Sequence, residues 1–152
     1  MATVLQCNGD LLKSGVPVIV HQTNCMGVMG RGIAKSIREK YPEVFPPYHN
    51  LCMKMGKKLL GKAQLLKMHD GTYIANCFGQ YSYGTDRVQT DYTALKSALS
   101  EVAAFAEMEK MDRIGLPYRI GSALAGGDWN RVYDIIIQAF KDYGGTVEIW
   151  KL

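Results

Sequence analysis

Long apolar runs are missing from this sequence. No stretch reaches the ~18 to 20 uninterrupted apolar residues of a membrane span, and Met1 to Asp10 lacks the basic and apolar regions of a signal peptide, so a cytoplasmic location without membrane contact is expected. Cysteine is scarce: Cys7, Cys25, Cys52 and Cys77 are the only four. None forms a CxxC pair or stands with histidines at zinc-ligand spacing, which argues against a disulfide framework or a structural metal and for reduced, mostly buried thiols. Charge of one sign is not concentrated either. Eighteen basic and 14 acidic residues leave a net charge of +4, scattered along the chain, so a dedicated duplex-binding surface is not expected, while a polyanionic ligand is compatible. Neither GxxxxGK[ST] nor GxGxxG occurs, which excludes a P-loop NTPase and a dinucleotide dehydrogenase of the usual pattern. With 152 residues and no visible repeat or linker, residues 1–152 are expected to form one domain.

What is present alternates between strands and helices. Met1 to Cys7 reads as a strand ended by the turn residues Asn8, Gly9 and Asp10, and Val16 to His21 as a buried, β-branched strand. Ile33, Ala34, Ile37 and Tyr41 recur at helical spacing up to Pro42. A second helix is expected over Val44 to Lys57, strands over Ala63 to Met68 and Tyr73 to Phe78, and a loop over Gly79 to Gln89. Thr90 to Met111 carries the clearest apolar stripe. Arg113 to Pro117 is expected as a strand, Trp129 to Phe140 as a helix ended by Gly144-Gly145, and Thr146 to Leu152 as the last strand. Such alternation predicts an α/β fold, with a mixed, largely parallel sheet between helices on both faces, and ligands at the strand ends.

Two glycine-rich loops stand between a strand and a helix: Thr23 to Gly32, with Gly27, Gly30 and Gly32, and Gly121 to Asp128. Each unit is able to aim unpaired backbone N–H groups and a positive helix end at an anion, and the glycines permit close approach and the backbone angles that anion nests need. Two facing loops would clamp a pyrophosphate. A tight strand-to-helix turn is the competing explanation for either loop taken alone.

At these residues the sequence resembles the macrodomains, in the branch that contains terminal ADP-ribose protein glycohydrolase, ADP-ribose-1''-phosphate phosphatases and DarG macrodomains. The resemblance rests on Asn8-Gly9-Asp10-Leu11-Leu12, on His21-Gln22-Thr23-Asn24-Cys25 leading into Gly27 to Ala34, on Leu60-Gly61 and on Ile120 to Trp129. It implies a three-layer α/β/α fold and ADP-ribose or a derivative as partner, free or attached to protein or nucleic acid, with a monomeric protein and no cofactor or metal. Asp10 would accept from the adenine amino group and Leu11 support the base, with Leu152 packing beside the adenosine. Met26, Gly27, Met29, Gly30, Arg31, Gly32 and Ile33 would surround the distal ribose, and Ile120, Gly121, Ser122, Ala123, Leu124 and Ala125 the diphosphate.

Glycohydrolases of this branch use a lysine soon after the strand matching Tyr73 to Phe78 and an acid in the second loop. Here no lysine lies between Lys67 and Lys96, and Ala125 stands where the acid is expected. Asp128, Asn24 and His21 are then the catalytic candidates. A carboxylate near the distal ribose would serve as general base or nucleophile, and an imidazole would shuttle its proton. Asp128 also reads as a helix N-cap, His21 as a core histidine, and Asn24 as a turn residue or an orienter of a ribose hydroxyl. Arg31 suits a phosphate, and Tyr81 and Tyr83 a ligand cover. Hydrolysis of an ADP-ribose derivative is expected, with a non-catalytic reader and, more remotely, a nucleic-acid-binding domain as alternatives.

Overall fold

In the computed structural model, which describes residues 2–152, the strands are Thr3–Asn8 (β1), Val18–Thr23 (β2), Ala63–Lys67 (β3), Tyr73–Phe78 (β4), Arg113–Pro117 (β5) and Thr146–Lys151 (β6). The helices are Gly32–Lys40 (α1), Phe45–Met55 (α2), Tyr92–Met108 (α3) and Trp129–Ala139 (α4). Every expected element is present, with its ends moved by a few residues. Met1, the expected start of the first strand, lies outside the described residues. None of the described helices is long and apolar enough to cross a membrane.

The six strands form one sheet in the order β1-β6-β5-β2-β4-β3. All neighbours are parallel except β3, which runs antiparallel to β4. Side chains alternate across this sheet because successive strand residues point to opposite faces. Val18, Val20, Ala75 and Cys77 pack with α3 and α4 on one face, and Ile19, Ile74 and Phe78 pack with α1 and α2 on the other. The result is the three-layer α/β/α fold. From β2 the chain moves toward β4 and β3, and from β5 toward β6, so the strand order reverses between β2 and β5. A crevice opens at the C-terminal ends of strands at such a reversal.

Local signals explain the helix ends. Asp91 caps α3, its carboxylate accepting from the Ala94 N–H at 3.0 Å, and the stripe Leu95, Leu99, Val102 and Ala106 is fully buried. Prolines occupy the first turn of α2, where a missing N–H costs nothing. On one face of β5, Ile114 and Leu116 pack with α3 and α4; on the other, at Gly115, no such helix lies over the strand among the described residues. There the short turn Leu11–Lys13 takes its place, and an added Cβ on Gly115 would lie 2.6 Å from Leu11 Cδ1 and 2.9 Å from Val16 Cγ2. Only glycine admits that approach. Beside it the Arg113 guanidinium grips buried Glu148 through Nε–Oε2 (2.7 Å) and Nη2–Oε1 (3.0 Å), which holds the Glu148 carboxyl below its ordinary range.

Candidate functional site

A cavity of about 500 Å³ opens at the ends of β2 and β5, a size that suits a small organic ligand. One wall is the first glycine loop with the start of α1, including Asn24, Gly30, Arg31, Gly32 and Ile33. The opposite wall is the second loop, including Ile120, Gly121, Ala123, Leu124 and Ala125. The two loops, nearly a hundred positions apart in sequence, therefore face each other across one space.

The first wall is held from within by Asn24, which is buried. Its Oδ1 accepts from the N–H groups of Met26 (3.0 Å) and Val28 (3.3 Å), and its Nδ2 donates to the Val28 carbonyl at 2.9 Å. The buried Tyr48 hydroxyl of α2 lies 2.8 Å from the Asn24 carbonyl and 2.9 Å from its Oδ1; burial pushes the Tyr48 hydroxyl pKa up. Asn24 thus serves the loop, and one of its two Nδ2 hydrogens remains for a ligand. At the end of this loop no side chain caps α1. The N–H groups of Gly32, Ile33 and Ala34 belong to the first helical turn, which has no acceptor of its own, and all three residues line the cavity.

The second wall offers backbone donors. Ser122, Gly126 and Gly127 spend their N–H groups on loop carbonyls, while among the described residues those of Gly121, Ala123, Leu124 and Ala125 have no protein acceptor. Gly121 has φ +73°, and an added Cβ would meet Gln22 Oε1 at 3.1 Å. Arg119, just before it, is held at φ +63°, a region costly for a side chain other than glycine. Such strain is retained where a loop must present a particular surface.

An amide chain ties the two walls together. The Gln80 amide nitrogen donates to the Ser82 carbonyl at 2.7 Å, so its Oε1 is left to accept from Gln22 Nε2 at 2.8 Å. Gln22 Nε2 also donates to Thr90 Oγ1 (3.0 Å), and Thr90 donates to the Gly121 carbonyl (2.6 Å). Since a carbonyl only accepts, the direction of every bond follows. Gln22, Gln80 and Tyr83 line the cavity. Sequence reading passed over Gln22, Gln80, Thr90 and Arg119, because no local pattern links positions 22, 80, 90 and 121. The Gly79 to Gln89 loop was the available signal.

Several expected residues lie elsewhere. His21 is fully buried in the sheet, its Nε2 2.6 Å from Asn76 Oδ1, and Asn76 Nδ2 donates onward to Gln64 at 3.0 Å. This makes Nε2 the protonated nitrogen. Burial lowers the His21 pKa to about 4, against the opposing effect of the Asn76 bond. His21 does not line the cavity, which removes the proton shuttle expected of it. Asp128 is the N-cap of α4, accepting from the Asn130 N–H at 3.0 Å, and also stays outside the lining. The expectation that both helix ends serve one anion is corrected in the same way: the start of α1 is uncapped and lines the cavity, while α4 is capped by its own aspartate.

Met29 and Leu11 are core residues. Ser122 is buried behind the second loop with its hydroxyl unpartnered. Gly27 is backed by His49 and Met53 of α2, and Met26 points outward. Gly30 does not take the left-handed angle that Gly27 and Gly32 do. Asp10 caps the Leu11–Lys13 turn, accepting from Leu12 N–H at 2.9 Å, and Leu152 is 97% exposed beyond β6. Asp10, Leu11 and Leu152 sit at the ends of β1 and β6, in the same row of strand ends as the cavity but past its boundary at Pro117 and Tyr118. Among the described residues the lining contains no carboxylate, lysine, histidine or cysteine.

A largely parallel sheet with helices on both faces and two glycine loops meeting at its reversal point defines a three-layer α/β domain with a ligand-sized cavity at its strand ends. The Macro domain family model matches residues 20–136, and the chain belongs to that family. It is 31% identical over 121 residues to an ADP-ribose 1''-phosphate phosphatase of Saccharomyces cerevisiae, covering 74% of this chain and 67% of that protein. It is 44% identical over 137 residues to a DNA ADP-ribosyl glycohydrolase of Mycobacterium bovis, covering 88% of this chain and 38% of that longer protein. The macrodomain of Mycobacterium tuberculosis DarG shares the fold, with a TM-score of 0.84 at 22% identity over 99% of this chain and 98% of the other.

Proposed function

We propose that the cavity binds ADP-ribose and that the protein hydrolyses an ADP-ribose derivative at the distal ribose. The observation that carries the binding is that two sets of residues with unpaired N–H groups, the uncapped start of α1 and Gly121, Ala123, Leu124 and Ala125, line one cavity of about 500 Å³. Backbone donors and a positive helix end are matched to a diphosphate. The distal ribose then falls beside Asn24, and the adenosine end extends past Tyr118 toward Asp10 and Leu152. Hydrolysis is supported by the activities named for the yeast and mycobacterial relatives. Within the lining, the spare Asn24 Nδ2 hydrogen is the group able to orient a ribose hydroxyl or a water.

A second reading, a reader that binds ADP-ribose without turning it over, is favoured by the lack of a carboxylate, lysine, histidine or cysteine in the lining. Calorimetry with ADP-ribose, with AMP and NAD as comparisons, tests the binding: selective micromolar affinity is expected, and its absence overturns the assignment. Incubation with ADP-ribose-1''-phosphate and with an ADP-ribosylated oligonucleotide then separates the readings. Multiple turnovers support the hydrolase; tight binding with neither substrate consumed supports the reader.

A further inference from the structure

The two edges of the sheet are finished differently. Strand β3 closes one edge and is blunted: its Ala63 N–H donates to Glu101 Oε1 at 2.8 Å, and Lys67 ends it with a charge. Strand β1 closes the other edge. Its residues, Thr3–Asn8, include no charge and no proline, the devices that keep an edge from pairing. The Thr3 N–H donates to the Gly145 carbonyl at 3.2 Å and the Gly9 N–H to the Lys151 carbonyl at 2.9 Å, so Leu5 and Cys7 between them also turn their backbone groups to β6. Val4, Gln6 and Asn8 therefore turn theirs outward, and nothing bonds them there among the described residues. Their side chains lie on the face of α3 and α4, where Val4 packs. On the opposite face Leu5 stands 45% exposed, with half-buried Cys7 two positions on.

We infer that β1 pairs antiparallel with β1 of a second copy of this chain, joining the two sheets across a two-fold axis at Gln6. This replaces the monomer that the family resemblance implied. The strand is its own complement. Its outward groups are symmetric about Gln6, so Val4 faces Asn8 of the second copy and Gln6 faces its own counterpart. Residues facing each other in this way exchange both backbone bonds, about six in all. In the closely spaced pairs between them Leu5 falls opposite Cys7 of the second copy, with Cβ atoms about 4.5 to 5.5 Å apart, and each leucine loses exposed apolar surface. Because Thr3–Asn8 is uncharged, no like charges are brought face to face, the penalty that a lysine on the strand would impose. Strand β6 lies between this edge and β5, so the contact forms whether or not the cavity is filled.

Sedimentation velocity on the purified chain, from about 1 µM to about 1 mM, tests the pairing. A mass rising toward that of two chains is expected, with a dissociation constant of about 10 to 100 µM, as a small contact gives. Gln6→Pro removes an N–H that bonds nothing within the chain, on an edge strand where proline is tolerated, and is expected to raise that constant at least about tenfold. Gln6→Lys sets like charges against each other on the axis and leaves the backbone untouched; a rise of about threefold or more is expected. If Gln6→Pro lowers the thermal midpoint, Gln6→Lys carries the test. Leu5→Cys, oxidised with diamide, is expected to give a disulfide-linked dimer through Cys7 of the second copy, since directly opposite residues in a closely spaced pair stand about 4.5 Å apart at Cα, within bridging range. That bridge should disappear in Leu5→Cys/Cys7→Ser. A chain monomeric across the whole range, a dimer indifferent to both Gln6 variants, or a bridge that survives Cys7→Ser would each overturn the pairing.

Discussion

Helices α1 and α4 begin alike in sequence, each after a strand and a glycine-rich loop, and end up with opposite roles. At α4 the chain supplies its own anion: the Asp128 carboxylate accepts from the Asn130 N–H and the helix end is spent. At α1 the residue in the same position is Arg31, which makes no capping bond, and Gly32, Ile33 and Ala34, whose N–H groups are free, line the cavity. The second loop contributes instead through the backbone donors of Gly121, Ala123, Leu124 and Ala125, before its helix starts. A glycine loop thus marks where an anion site is possible, and the cap residue decides whether the helix end is available to a ligand. A cap worth about 1 kcal/mol to the fold has been left out where its place is open to a ligand.

The same division between groups spent inside and groups left for a ligand is sharpened most by His21. Its folded-state pKa of about 4 lies below the ordinary value of 6.5, so the unfolded chain takes up the proton first as pH falls. Stability is expected to be full above pH 6.5 and to drop by about 3 kcal/mol as pH falls from 6.5 to 4. Urea unfolding at stepped pH measures it, and a His21→Gln variant should flatten that limb. If His21 instead governed ligand chemistry, the variant would alter turnover and leave the limb in place. Next in size, Arg31→Asp should close the open helix end. ADP-ribose affinity by calorimetry is expected to fall by about ten- to a hundredfold while the thermal midpoint rises, since a cap and a favourable dipole contact are gained.

Gly121→Ala forces a side chain into a left-handed backbone and against Gln22. A loss of about 1 to 2 kcal/mol in denaturant unfolding is expected, together with weaker ADP-ribose binding. The smallest effect belongs to the closed end. Asp128→Ala should cost about 1 kcal/mol of stability and leave ADP-ribose affinity within about twofold. A large loss of affinity there would break the contrast between the two helices and return Asp128 to the site.

Much of this was legible in the chain itself. The β-branched run Val16 to His21 marked β2, the Leu95, Leu99, Val102 and Ala106 stripe placed α3, and the glycine spacing marked both walls of the cavity, because each of these signals is local. Arg119 was not legible, since its left-handed angle is imposed by the loop it begins. Nor was the Gln22, Gln80, Thr90 and Gly121 chain, whose members meet only when β2, β4 and the second loop are side by side.

By itself, then, the sequence determined the order of elements, the α/β class and the two loops, since periodicity and turn chemistry act over a few residues. The tertiary structure alone decided which polar groups are already satisfied. It buried His21 on Asn76, turned Asp128 to its own helix and left α1 uncapped toward the cavity. Hydrogen-bond partnership depends on distances between residues remote in the chain, and only folding sets those distances.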